Sequence, residues 1–129
     1  MSKLIILVTG QVYGPASGWH ALQYTKAALS AGQQVHCVFF YGDGVTQSNA
    51  LVHPASDECN LSHAWQQLAS QYQIPLVNCV SAAWRRGVMS SADAQENAKS
   101  AANLAEGFTM GGLGELITGM EGAERVVRF

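Results

Sequence analysis

Hydrophobic and polar positions alternate between two periods along the chain and divide it into strand-like and helix-like segments. "KLIILVTG" (3–10) is a continuous aliphatic run closed by glycine, the pattern of a strand buried on both faces. "GWHALQYTKAALSAG" (18–32) places Trp19, Leu22 and Leu29 near one side and ends at Gly32, which predicts a helix. "QVHCVFFYG" (34–42), dense in valine and aromatics, predicts a second strand. Residues 43–60 carry no period and form the least regular stretch, of the length that in compact domains is usually functional or mobile. In "LSHAWQQLASQY" (61–72), Leu61, Ala64, Trp65, Leu68, Ala69 and Tyr72 repeat at helical spacing.

Pro75 opens a third strand, "PLVNCV". A helix is predicted from about 91 to 106, with Ser90 and Asp93 as a capping pair and Ala94, Ala98, Ala101 and Ala105 on one close-packing face. The remainder predicts a short strand near Phe108–Met110, then a short helix with Leu113, Leu116, Ile117 and Met120 turned inward, and last a strand "RVVRF". Five strands with intervening helices predict an α/β fold: one doubly wound, mainly parallel sheet with helices on both faces, in a single domain over residues 1–129.

Composition narrows the function classes. Only 12% of the residues are charged, which leaves little polar coating and points to a surface partly covered by other subunits. A net charge of −2 and scattered lysines and arginines argue against direct nucleic-acid binding. No apolar run reaches the length of a membrane span, and the N-terminus reads as a first strand, not as a signal peptide. Three cysteines without CxxC spacing predict reduced thiols in a cytoplasmic protein.

Chemistry in an open parallel sheet gathers beyond the carboxyl ends of the strands. Cys79 falls late in the third strand, and Arg85 and Arg86 follow closely enough for one guanidinium to face its sulfur. A cation or a helix N-terminus favours thiolate over thiol. Periodicity alone leaves two readings of Cys79 open, a small hydrophobe in the core or an activated nucleophile. Cys37 lies between apolar residues of the second strand and reads as core; Cys59, in the irregular stretch, reads as a bystander. The glycine-rich "GQVYGPASG" (10–18) fits no phosphate-binding fingerprint, yet Gly10, Tyr13 and Gly14 are candidate walls of a site at the strand ends. The four histidines show no metal-ligand spacing, so no metal is expected. Asp57 and Glu58 read as acidic compensation at the start of the following helix.

Seven segments taken in order, "VTGQVYG", "VFFYGDGV", "NALVHPASDE", "AWQQLA", "CVSAAWRRGV", "GFTMGGLGEL" and "RVVRF", resemble the DsrE/DsrF-like sulfurtransferases nearly end to end. The resemblance implies that Cys79 is the persulfide-forming cysteine, with Arg85 or Arg86 as stabilisers of its anionic sulfur. It implies sulfur received from a TusA-like donor and passed to a TusE-like acceptor, ending in 2-thiouridine at the tRNA wobble position. TusB-like and TusC-like subunits would be constitutive partners in a heterohexamer, and no cofactor would be needed. The rival expectations are a subunit of dissimilatory sulfur oxidation, a flavodoxin-like module binding a nucleotide or flavin, and a non-catalytic scaffold.

Overall fold

The computed structural model describes residues 3–129. Strands β1 (Lys3–Val8), β2 (Gln34–Phe40), β3 (Leu76–Cys79), β4 (Phe108–Gly111) and β5 (Arg125–Arg128) form one sheet in the order β4-β3-β2-β1-β5. Every neighbouring pair is parallel. The helices are α1 (Ser17–Ser30), α2 (Leu61–Tyr72), α3 (Val80–Arg85), α4 (Ser91–Glu96) and α5 (Leu113–Gly122).

The strand order decides how the two faces are covered. From β1 to β4 the chain steps in one direction across the sheet, whereas β4 to β5 steps back the other way. Right-handed crossovers then place α1 and α2 on one face and α5 on the opposite one. On the first face Trp65 of α2 meets Phe40 edge-on with ring centroids 5.5 Å apart, and α1 packs beside α2. On the second, α5 approaches so closely at Gly119 that a Cβ there would lie 3.0 Å from the His36 ring and 3.3 Å from Ile5. The core is the aliphatic and aromatic filling between these layers, with Leu4, Ile5, Ile6, Val38, Phe39, Phe40, Trp65 and Leu76 almost fully enclosed.

Several expectations change. The residues from 91 to 106 are not one helix: α4 stops at Glu96, and Ala98 takes a left-handed φ of 55°, which an α-helix cannot continue through. Ala94 and Ala105 are buried while Ala98 and Ala101 are exposed, so the alanines share no packed face. The Ser90–Asp93 capping box is present as expected. In α5, of the four residues expected inward, Leu116 packs against the core while Leu113, Ile117 and Met120 are exposed, and Gly119 is the buried position. Trp19 is also exposed, since Gly18, Ala21, Leu22, Thr25 and Ala28 supply the buried face of α1. Glu58 lies outside α2, whose N-cap is Asn60 accepting from the His63 amide. The irregular stretch contains an ordered 3-10 helix, Gly42–Ser48.

Candidate functional site

Cys79 is the last residue of β3 and the N-cap of α3. The strand places it at the carboxyl edge, and the chain turns there at once into helix. The first amides of α3 therefore lack intrahelical partners beside the thiol, a setting that favours negative charge. Alternation along β3 fixes the side of the sheet. Asn78 donates to Ser48 Oγ on the face that carries the 3-10 helix, whereas Val77 shares a groove with Gly114, Glu115 and Thr118 of α5. Cys79 accordingly projects on the α5 side, next to its register partner Gly111 of β4. The thiol is covered, with 3% of the residue exposed.

Around this edge the βα connections are tied to one another. The 3-10 helix docks under the end of β1, where Gly44 lies so close that a Cβ would stand 2.0 Å from the Val8 carbonyl oxygen. Gln47 Nε2 donates to the Gly10 carbonyl at 3.0 Å, and Trp65 Nε1 donates to Gln47 Oε1 at 2.8 Å. Val12 N donates to Thr46 Oγ1 at 2.9 Å. Arg86 Nε pairs with Asp43 Oδ1 at 2.8 Å, and Arg86 Nη1 donates to the Ala82 carbonyl. The Arg86 hydrogen bond holds the Asp43 carboxyl below its usual range, the guanidinium charge and Gln11 adding to it against some desolvation. Tyr13 Oη donates to the Glu58 carboxylate, which lowers the Glu58 carboxyl and raises the Tyr13 phenol.

Cys79, Arg86, Gly10, Tyr13 and Gly14 thus share the carboxyl edge of the sheet. They do not form one contact set. The 10–14 loop follows β1, which β2 separates from β3, and Arg86 is engaged with Asp43 and the Ala82 carbonyl. Arg85 closes α3 as the basic residue of its last turn. Cys37 is buried on the α5 side, its thiol pushed up to about 11 by burial, with the Glu115 charge adding to it. Cys59 is exposed.

Asn78 and the Gln47–Ser48 pair were not anticipated from the sequence. Asn78 is fully buried directly before Cys79, and its Oδ1 has no hydrogen-bond partner among the described residues. Ser48 Oγ in turn donates to the Val45 carbonyl at 2.7 Å. An asparagine inside an otherwise apolar strand was the one legible signal, since a buried amide must be satisfied or serve a purpose.

The model of the DsrE/DsrF-like family matches residues 2–129. A protein named sulfurtransferase TusD homolog from Vibrio vulnificus is 46% identical over 127 residues, covering 98% of this chain and 97% of its own. A protein named sulfurtransferase TusD from Proteus mirabilis is 46% identical over 124 residues, covering 96% and 95%. The crystal structure of the ychN protein from E. coli superposes with a TM-score of 0.80 over the whole of both chains at 22% identity, a likeness of fold. With the same fold, a match from residue 2 to the last, and relatives this similar over nearly their full lengths, the chain belongs to the DsrE/DsrF-like family.

Proposed function

We propose that this chain is a sulfurtransferase of a protein-to-protein sulfur relay, a single domain that carries sulfane sulfur on Cys79. The reading rests on relatives named sulfurtransferase TusD at 46% identity. It rests equally on a cysteine at a strand's carboxyl end and a helix's first amides. The Cys79 thiolate attacks the outer sulfur of a donor persulfide, one S–S bond forms as another breaks, and the donor departs as a thiolate. The sulfur then leaves Cys79 by the same exchange with an acceptor thiol. No electrons are gained or lost overall.

Because Cys79 is covered, a visiting persulfide reaches it only when the surrounding segments open. The six-residue α3, which begins directly after Cys79, is the segment proposed to open. Arg86 is already paired with Asp43, so Arg85, exposed in the last turn of α3, is the arginine proposed to meet the anionic sulfur once that helix opens. The proposed relay has a TusA-like donor and a TusE-like acceptor, with TusB-like and TusC-like subunits completing a heterohexamer in the cytoplasm. Its product is 2-thiouridine at the tRNA wobble position.

Deleting the gene and measuring thiolated tRNA tests the destination. The deletion strain should lose wobble 2-thiouridine, regain it with the wild-type gene and not with Cys79→Ser. Unchanged thiolation in the deletion strain would remove tRNA from the proposal, and rescue by Cys79→Ser would remove Cys79.

A further inference from the structure

Sulfur transfer through Cys79 requires its thiol to lose a proton, and with 3% of the residue exposed that proton has no open path to solvent. The strand beside it brings in a neighbour. Gly111 of β4 is the register partner of Cys79, one strand spacing of about 4.8 Å away. A Cβ built on Gly111 would stand 2.7 Å from Val77 Cγ1, so this position faces the α5 side as Val77 does. The same Cβ would stand 2.6 Å from Glu115 Oε2. The Glu115 carboxylate thus lies in the space that a side chain at 111 would fill, beside Cys79 on the same face of the sheet.

Glu115 belongs to the first turn of α5, where a carboxylate ordinarily answers the helix dipole. Its placement goes beyond that. The one ion pair among the described residues joins Arg86 to Asp43, so no cation claims the Glu115 carboxylate. The residue is exposed while this oxygen turns in to the sheet, so the carboxylate links the surroundings of the covered sulfur to solvent. The other ionisable groups around the two are His36 and Cys37 of β2 and Arg85 and Arg86 of the α3 end; β4 and the groove side of α5 add none.

We propose that Glu115 is the proton acceptor of Cys79 in sulfur transfer, a step that rests on the reading of Cys79 as the nucleophile. As the Cys79 sulfur bonds the outer sulfur of the donor persulfide, its proton passes to the Glu115 carboxylate, directly or through one water. The bond between the two donor sulfurs breaks, and the inner sulfur departs with its electron pair. Glu115 then returns the proton to that departing sulfur and is ionised again. In its neutral form it sets no second negative charge beside the reacting sulfur.

The sign of one substitution tests this. A carboxylate that merely stood nearby would oppose a thiolate, so Glu115→Gln would speed alkylation of Cys79 or leave it unchanged. A proton acceptor has the opposite effect. Iodoacetamide labelling of the full-length chain is read by mass on the fragment containing Cys79. At neutral pH it should be about ten-fold slower in Glu115→Gln, short of the usual effect of such residues because buffer replaces part of the function. The deficit should close as the pH rises above the ordinary thiol range, where hydroxide takes the proton. A variant rate equal to or above wild type at neutral pH, a deficit of the same size at every pH, or a wild type that labels only in alkali would each overturn the proposal. The labelling reads proton removal and not sulfur. A chain that labels as expected and takes up no sulfur therefore refutes the relay alone, and one that loads sulfur while Glu115→Gln labels like wild type refutes this assignment alone.

Discussion

Cys37 and Cys79 lie on the same side of one sheet and differ in where their strands leave them. Cys37 sits within β2, and burial pushes its thiol up to about 11. A thiol raised in the folded state stays protonated where the unfolded chain has begun to lose its proton. Its contribution to stability is therefore full below the ordinary thiol range and falls away as the pH rises through about 11. The loss of thermal stability between neutral and strongly alkaline pH should be smaller in Cys37→Ala than in wild type, read as melting temperature against pH. Equal slopes would remove Cys37 from the alkaline transition. The arginines make a second prediction. Arg85→Ala should slow alkylation of Cys79 by about three-fold, the size of losing one exposed charge interaction. Arg86→Ala should leave the rate nearly unchanged, because that guanidinium already serves Asp43. The adjacency of Arg85 and Arg86 was legible in the sequence; that a carboxylate 43 positions upstream would claim one of them was not.

Among the elements, the 3-10 helix Gly42–Ser48 does the most to organise the strand ends, holding Gly10, Val12 and Trp65 through Gln47 and Thr46. Gly44→Ala should cost about 3 kcal/mol in denaturant unfolding, the upper part of the usual range for overpacking, because the added methyl collides with rigid backbone. Gln47→Leu should cost about 2 kcal/mol by leaving the Trp65 indole N–H and the Gly10 carbonyl without partners. A stability unchanged by either substitution would mean that this turn does not anchor the edge. The strands were readable because β1 to β3 lie in mostly apolar runs bounded by glycine or proline. The short helix α3 was not, since "VSAAWR" continues the apolar run of β3 and contains too few residues to show a period. The alanines after Ser90 carry helix propensity, yet the left-handed Ala98 ends α4 and the bridge between Asn49 and Leu104 ties the rest to a neighbouring segment. Propensity lost to tertiary contact there.

At the scale of the whole molecule, the reversal of direction between β4 and β5 leaves α5 as the helix covering the second face. The period of α5 was legible and its orientation was not. A hydrophobic period states that one face is apolar, but the helix turns Leu116 and the closely packed Gly119 to the sheet and leaves Leu113, Ile117 and Met120 outside. The sparse charge, 12% of residues, goes with the exposed Leu113, Ile117 and Met120 of α5. The position of Cys79 at the end of the third strand was likewise legible, while its near-complete cover was left open between a core residue and a nucleophile. Coverage depends on the packing of distant segments, which linear spacing does not encode.

Everything in the functional account requires that the covered sulfur at the end of β3 can be reached and can bond a second sulfur. Intact-mass measurement of the purified chain after incubation with a persulfide donor asks this directly, with fragment analysis to locate the gain. One added sulfur on the fragment containing Cys79, retained in Cys37→Ala and Cys59→Ala and absent in Cys79→Ser, is the predicted result. A Cys79→Ser chain that gains sulfur as readily as wild type contradicts it.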